Sequence, residues 1–267
     1  MNERSSIMQE QDLVLGGQRL HFWQGGSGPA LLLLHAAWGD AELSWGSVGG
    51  RLAQSHTVIA PDLPGFGRSE KMPTPTLSGM ATMLKELLDA LHIKRAVVVG
   101  NSFGAGVALK FENDHPQMVS RLVLVDGGYL PVIPGFLRKL VSLPGVNQGF
   151  RALIRSITFS RKTLNRSFAN SAKLPAGFLE KIEQNTMAYS RISFDTIMNH
   201  TAPLSKPAAQ TLLVWGAEDG LATLKQADAV QKWIPESKLI TIDGAGHMPQ
   251  VEKPEEFVAA VTGKTGE

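Results

Sequence analysis

The chain of 267 residues contains no cysteine, which excludes disulfides, thiolate metal sites and a cysteine nucleophile. The net charge is also small, because 24 Asp and Glu nearly balance 26 Lys and Arg. The difference is too small to indicate nucleic acid as a partner. Long apolar runs are missing as well. The most apolar stretch, 30–34, falls far short of the ~18 residues needed to cross a bilayer. We therefore expect no membrane span, and catalytic chemistry is left to Ser, His, Asp, Glu or Lys.

Residues 2–6 are polar, and the start of the sequence lacks the charged-then-apolar pattern of a secretory signal. If residue 1 is the native start, this predicts a location in the cytoplasm. Hydrophobic residues make up 43% of the chain and charged residues 19%, which is typical of a globular protein.

Short β-rich runs alternate with segments of helical periodicity, a pattern that favours an α/β fold with a mostly parallel sheet covered by helices on both faces. Gly16 and Gly17 predict a hairpin between the first two strands. Eight strands are predicted at 12–15, 19–23, 30–34, 57–60, 95–99, 121–125, 210–215 and 238–242. Helices are predicted at 76–91, 104–114, 222–233 and 254–262.

The alternation stops between residues 131 and 200, where the spacing of apolar residues is loosely helical. We interpret 131–200 as a helical cap inserted into a core formed by 1–130 and 201–267. The segment holds ten Lys and Arg against three Asp and Glu, a net charge of +7. These charges either face water as an ordinary solvated surface or form a rim that attracts anionic substrates.

Residues 100–104 read Gly-Asn-Ser-Phe-Gly, a G-x-S-x-G pattern between a predicted strand and a predicted helix. Such a sharp turn strains the backbone of Ser102 and projects its side chain, while the glycines relieve crowding. The amides at the start of the following helix can stabilise an oxyanion, and the N–H of Phe103 is the first candidate donor. The pattern predicts a nucleophilic serine.

Four further segments accompany this motif in a specific order. They are Leu31 to Trp38, Pro61 to Ser69, Leu213 to Asp219, and Gly244 to His247. Together with the serine turn they make the chain resemble the α/β-hydrolase family over nearly its whole length. The resemblance implies an eight-stranded α/β-hydrolase fold and a nucleophile–acid–histidine order of Ser102, Asp219 and His247.

The chemistry requires each of these residue types. Serine is a poor nucleophile at neutral pH, so we assign His247 as the general base that takes its proton. Asp219 is assigned as the acid that orients the histidine. Asp126 competes for that role because it also ends a predicted central strand, but Gly-x-x-Asp at 216–219 matches the family pattern better.

The loop after the third strand departs from the family, since Ala36 replaces the usual glycine after His35. We expect this loop to keep ordinary φ values, and we assign the second oxyanion donor to the N–H of Ala37, with that of Trp38 as the alternative. Trp38 and Met248 are predicted to line an apolar substrate pocket. His35 and Asp62 are predicted to brace their loops by hydrogen bonds.

Resemblance implies that dehalogenases and epoxide hydrolases carry aspartate at the nucleophile position, so Ser102 argues against both. A small-molecule carboxylic ester is the first predicted substrate class. The alternative is carbon–carbon bond hydrolysis of a ring-cleaved aromatic diketone, although Met248 stands where those enzymes usually have tryptophan. A ligand receptor or interaction scaffold on the same fold is the non-enzyme alternative. No ligand-rich spacing indicates a metal or cofactor.

Overall fold

The computed structural model describes residues 8–128, 132–141, 143 and 145–263. In these ranges eight strands form one sheet. They are β1 (Met8–Leu15), β2 (Gln18–Gly25), β3 (Ala30–Leu34), β4 (Thr57–Pro61), β5 (Ala96–Asn101), β6 (Val119–Val125), β7 (Thr211–Gly216) and β8 (Lys238–Ile242). All eight predicted strands are present, and those at 30–34 and 238–242 have the predicted bounds.

The strand order is β1-β2-β4-β3-β5-β6-β7-β8. The pairs β1–β2 and β2–β4 are antiparallel, and the remaining pairs are parallel. This confirms the predicted mostly parallel sheet. Leu15 pairs with Gln18 across Gly16 and Gly17, whose φ angles are 54° and 81°, so the predicted hairpin turn is also present. Two consecutive positive φ angles are the reason that glycine occupies both positions.

Eleven α-helices lie in the described ranges, four of them close to predicted positions. They are α1 (Ala41–Trp45), α2 (Gly49–Leu52), α3 (Leu77–Ala90), α4 (Phe103–Asp114), α5 (Gly135–Val141), α6 (Val146–Thr158), α7 (Arg161–Ser167), α8 (Phe178–Met198), α9 (Leu224–Trp233), α10 (Pro249–Glu252) and α11 (Pro254–Thr262). The sequence analysis missed α1, α2 and α10, because four or five residues show no helical periodicity.

Helices α5 to α8 occupy 131–200, and no strand occurs in the part of this segment that the structure describes. The role of this segment as a cap stays a prediction. None of the described helices combines the length and apolar character that crossing a bilayer requires. The location in the cytoplasm stays a prediction.

The core lies on both faces of the sheet, and β3 shows how it is divided. Leu32 and Leu34 are buried against α3 and α4 on one face, while Leu31 and Leu33 are buried with Trp45 on the other. Alternate residues of a strand point to opposite faces, so a strand covered on both sides must be apolar throughout. This burial fixes the strand ends from which the site is built.

Gly104 shows how closely α4 approaches the sheet. A Cβ atom at this position would lie 2.3 Å from the carbonyl oxygen of Leu34 and 2.6 Å from that of His35. Both neighbours are backbone atoms in or beside a central strand and cannot move aside easily. Glycine is therefore required here by contact with β3.

We expect Gly104→Ala to destabilise the protein by about 3 kcal/mol or more, because the added methyl group forces α4 away from β3. Gly149→Ala in α6 is the matched control, since beyond the adjoining backbone of its own helix no described atom lies within 4 Å of the added Cβ. Better helix propensity should make the control up to ~1 kcal/mol more stable. Urea unfolding of both variants measures the difference, and equal stabilities would contradict the close packing of α4.

Candidate active site

Ser102 lies in the turn between β5 and α4, with φ 54° and ψ −111°. This confirms the predicted strain, because a non-glycine residue rarely adopts positive φ. The turn is tight, since a Cβ atom on Gly100 would lie 2.3 Å from the carbonyl oxygen of Gly104. The backbone N–H of Ser102 donates to the carbonyl oxygen of Val125 at 2.8 Å, which ties the turn to the end of β6.

His247 lies in the loop after β8 and contacts both of the other predicted catalytic residues. Its Nε2 is 2.8 Å from Oγ of Ser102, and its Nδ1 is 2.6 Å from Oδ2 of Asp219. The ring is 2% exposed. The backbone N–H of His247 donates to the carbonyl oxygen of Ser167 at 2.7 Å, which holds the loop. The structure thus joins Ser102, His247 and Asp219 in one hydrogen-bonded chain.

Asp219 follows β7 and is buried. Its Oδ1 accepts backbone N–H groups from Leu221 at 2.7 Å and Ala222 at 2.9 Å, which leaves Oδ2 for His247. Two amide donors on one oxygen fix the carboxylate plane. The imidazole is thereby held with one nitrogen toward the acid and the other toward the serine.

Asp126, the competing acid, lies beside this chain rather than in it. Its Oδ1 accepts the N–H of Gly216 at 3.0 Å. Burial, followed by the negative charge of Asp219, raises the pKa of Asp126 well above its ordinary value. His247 Nδ1 meets Asp219 instead, so the geometry agrees with the choice of Asp219 over Asp126.

Asp126, Asp219 and His247 each offer one possible metal-ligand atom, and these three atoms lie within 4.8 Å of one another. A small cation could contact all three at this spacing. The two best-placed atoms, however, already bind each other at 2.6 Å, and the second oxygen of Asp219 accepts two amide hydrogens. A cation would have to displace these hydrogen bonds. The donor set fits a proton relay better than a metal centre.

The predicted oxyanion donors lie on either side of the serine turn. Phe103 is the first residue of α4, where backbone amides have no partner within the helix. Ala37 lies in the loop after β3, and Ala36 keeps an ordinary φ as predicted. Within the described chain, neither the N–H of Ala37 nor that of Phe103 donates a hydrogen bond. Both amides are unpaired among the described residues, and their binding of a substrate oxygen stays a prediction.

His35 braces the loop after β3, as predicted. Its Nδ1 bonds to the carbonyl oxygen of Ala36 at 2.8 Å, and its Nε2 accepts the N–H of Leu63 at 2.8 Å, so the ring is neutral with its hydrogen on Nδ1. Burial lowers the pKa of His35, which favours the same neutral form.

Asp62 also has the predicted bracing role, with one addition. Its Oδ2 accepts the N–H of Arg68 at 2.9 Å, which closes its own turn. Its Oδ1 accepts the N–H of Ala41 at 2.9 Å and so holds the start of α1. The side chain of Asp40 caps the same end by accepting the N–H of Leu43 at 2.8 Å, so two carboxylates hold this helix of five residues.

Trp38 and Met248 pack next to the histidine. The Trp38 ring centroid is 4.8 Å from that of His247 and 5.7 Å from that of Phe168. Trp38 and Met248 are buried in a cluster that also contains Phe168 and Phe178 of the 131–200 segment. An apolar wall therefore adjoins the imidazole, while contact of either side chain with a substrate stays a prediction.

Two hydrogen-bond networks around the site were not predicted, one buried at Asn101 and one partly exposed at Glu252. Asn101 Nδ2 donates to the carbonyl oxygens of Val125 and His247, both at 3.1 Å, and so joins the serine turn to the histidine loop. Glu252 accepts the N–H of Gly246 and that of Ala169, both at 2.7 Å. The Asn next to Ser102 was the only local signal, because all these partners are distant in sequence.

Comparison with known proteins agrees with this geometry. The family model described as "alpha/beta hydrolase fold" matches residues 29–254. The chain belongs to the α/β-hydrolase fold family. The 2-hydroxymuconate semialdehyde hydrolase of Pseudomonas sp. strain CF600 is 30% identical over 94% of this chain and 92% of its own. An uncharacterised protein of Mycobacterium tuberculosis is also 30% identical, over 92% of this α/β-hydrolase and 77% of its own chain.

Among solved structures, 2-hydroxy-6-oxo-6-phenylhexa-2,4-dienoate hydrolase from Rhodococcus sp. strain RHA1 superposes with a TM-score of 0.75 at 21% identity. The superposition covers 96% of this α/β-hydrolase and 98% of that chain. At this identity the likeness establishes the fold alone. It confirms the fold predicted from the resemblance.

We expect Asp219→Asn to lower kcat by about 10⁴, because an amide neither stabilises the imidazolium nor imposes the correct tautomer on His247. Circular dichroism should remain that of the wild type. Asp126→Asn is the matched control, since it makes the same change in an adjacent buried carboxyl group that does not contact His247 Nδ1. A larger loss in the Asp126 variant would move the acid role to the end of β6.

Proposed function

We propose that this α/β-hydrolase is a serine hydrolase that cleaves a small-molecule carboxylic ester. The observation that carries the proposal is the chain of short hydrogen bonds from Ser102 Oγ through His247 to Asp219. Burial of both the histidine and the acid supports it, because electrostatic interactions are stronger in a site that excludes water.

In the proposed reaction, Ser102 Oγ attacks the acyl carbon while His247 Nε2 takes its proton. Asp219 stabilises the resulting imidazolium through Nδ1–H. The oxygen that becomes negative in the tetrahedral intermediate accepts the N–H groups of Ala37 and Phe103. His247 then gives the proton to the departing alcohol, and water attacks the acyl-enzyme by the reverse sequence of proton transfers.

An apolar acyl or aryl group suits the surroundings of the proposed site. Trp38 and Met248 adjoin His247, and Phe168 contacts Trp38. Such a pocket gains up to ~0.8 kcal/mol for each buried methylene until it is full. Short to medium chain esters are therefore the proposed substrates.

Carbon–carbon bond hydrolysis is the second candidate. The relative from Pseudomonas sp. strain CF600, named as a 2-hydroxymuconate semialdehyde hydrolase, covers nearly the full length of both chains at 30% identity, which favours it. The buried Met248 after the histidine, where those enzymes usually carry tryptophan, favours the ester. Hydrolysis rates on p-nitrophenyl esters of increasing chain length, measured beside a ring-cleaved diketone, separate the two.

Ser102→Ala should lower kcat by about 10⁶ and abolish labelling by a fluorophosphonate, because the nucleophilic oxygen is gone while binding and the oxyanion donors remain. Ser156→Ala, on the exposed side of α6, is the control and should be labelled like the wild type. Turnover by the Ser102 variant near the wild-type rate would reject the serine-hydrolase mechanism. Failure of the wild type to react with fluorophosphonate would favour the receptor or scaffold alternative.

We further propose that 131–200 is a cap that selects the substrate. Its Ser167 carbonyl holds the backbone of His247, and its Phe168 packs on Trp38. The segment is therefore in contact with the proposed site at two points. Other apolar residues, such as Phe159 and Phe194, are buried, whereas Phe136 and Met187 are largely exposed.

Phe168→Ala should move the maximum of kcat/KM toward longer acyl chains, because removing the ring opens space beside Trp38. Phe194→Ala is the control, since it removes an equally buried phenylalanine that packs on Phe150 and Arg151 instead. A series of p-nitrophenyl esters measures both variants. The same chain-length preference in the two variants and the wild type would remove Phe168 from substrate selection.

The net charge of +7 on the proposed cap gives a second expectation. If these charges steer substrate, kcat/KM for an anionic ester should fall as salt rises, while that for a neutral ester of the same size should stay constant. Equal salt dependence of the two esters would identify the basic residues as ordinary solvated surface.

A further inference from the structure

Asp126 is a buried carboxyl group that the proposed reaction does not use. It is 1% exposed and has φ 46°, an unusual angle for any residue but glycine. Its Oδ1 accepts one backbone N–H, from Gly216. Its Oδ2 is fully buried and has no hydrogen-bond partner by distance and angle among the described atoms. Buried polar atoms are rarely left in this state, so this oxygen requires an explanation.

The surroundings of Asp126 restrict its charge. One carboxyl oxygen of Asp126, one of Asp219 and a ring nitrogen of His247 all lie within 4.8 Å of one another, and all three residues are buried. Glu252 in α10 adds a further negative charge from nearby. Two carboxylates at this distance in a buried site repel strongly, and such pairs hold one proton between them.

The hydrogen bonds decide which acid holds the proton. Asp219 accepts three N–H groups, from Leu221, Ala222 and His247, whereas Asp126 accepts, among the described residues, only that of Gly216. Hydrogen bonds donated to a carboxylate stabilise its ionised form. Asp219 is therefore the ionised partner. Burial and the charge of Asp219 raise the pKa of Asp126 well above its ordinary value, in agreement with this division.

We propose that Asp126 is a positioning residue that stays a neutral carboxylic acid and donates the hydrogen on Oδ2 to the carboxylate of Asp219. The donated hydrogen would satisfy the unpartnered oxygen and hold Asp219 facing His247. Without that hydrogen, the full negative charge of Asp219 would act on His247. The catalytic effect rests on the proposed function, whereas the protonation of Asp126 does not.

Two substitutions keep or remove the donated hydrogen, and both tolerate the positive φ of this position. Asparagine tolerates positive φ and its amide N–H can donate to Asp219, while glycine tolerates the same φ but offers no donor. We expect Asp126→Asn to keep most of kcat and the acidic limb of the kcat/KM profile. We expect Asp126→Gly to lose about tenfold in kcat, with KM little changed and the acidic limb moved to higher pH.

Each other pattern of results overturns the proposal. If Asp126 is ionised, Asp126→Asn removes a negative charge near His247 and moves the acidic limb to lower pH. If Asp126 is only structural, both variants change the denaturation midpoint and leave kcat and the pH profile as in the wild type. The esters named above are the substrates for these profiles.

Infrared spectroscopy tests the proton without any turnover. The wild type at neutral pH should show the carbonyl absorption of a protonated carboxylic acid, and Asp126→Asn should lack it. Absence of this band from the wild type overturns the proposal. If the chain hydrolyses neither esters nor the diketone and is not labelled at Ser102, the proposed function fails, and the infrared band still decides the state of Asp126.

Stability supplies one more measurement. With its raised pKa, Asp126 keeps a proton in the folded chain that the unfolded chain releases, so the wild type loses stability as pH rises above the ordinary range of aspartate. Asp126→Asn carries no such proton. We therefore compare the urea midpoints of the two proteins at each pH at which both are folded. The midpoint of Asp126→Asn minus that of the wild type should increase from pH 4 toward neutral pH. A difference independent of pH contradicts a neutral Asp126.

Discussion

The positive φ of Ser102 is the constraint on which the rest of the site depends. A residue held at φ 54° and ψ −111° costs roughly 1–3 kcal/mol, and surrounding structure must hold it there. That structure is the buried end of β5, the bond from the Ser102 N–H to Val125, and the first turn of α4. The turn leaves no room for a side chain at position 127, since a Cβ atom on Gly127 would lie 2.8 Å from Cα of Ser102.

The sheet order then brings the remaining groups to this turn. Neighbouring parallel strands β5, β6, β7 and β8 end at the same edge, and the segments that follow them carry Ser102, Asp126, Asp219 and His247. Open α/β sheets bind ligands at this edge because the loops after parallel strands converge there. Residues 145 positions apart thus meet at 2.8 Å. The same convergence places two carboxyl groups side by side, so the proposed shared proton follows from the topology that brings Ser102, His247 and Asp219 together.

Those parts of the fold and site whose determinants are local could be predicted from the sequence. The Gly16-Gly17 turn, the central strands and the turn around Ser102 are each indicated by a pattern of a few consecutive residues. The helix α1 was not predicted, because five residues show no helical periodicity and one of the two carboxylates that hold its start, Asp62, is 21 positions away. Asn101 and Glu252 were missed for the same reason, since their partners lie as far as 146 residues along the chain. Asp219 and Asp126 could be ranked only by motif, and the hydrogen bond to His247 supplies the physical distinction.

The segment 131–200 cannot be treated as independent of the catalytic geometry. Glu252 accepts one N–H from the histidine loop and another from Ala169 just after α7, and the carbonyl of Ser167 accepts the N–H of His247. Gly246 is in equally close contact, because a Cβ atom there would lie 2.1 Å from the carbonyl oxygen of Ser167. Backbone atoms of this segment therefore fix the position of the proposed base. Side chains such as Phe168 can vary to change the pocket, but the path of the chain from Ser167 to Ala169 must be kept, since shifting it would move His247 away from Ser102.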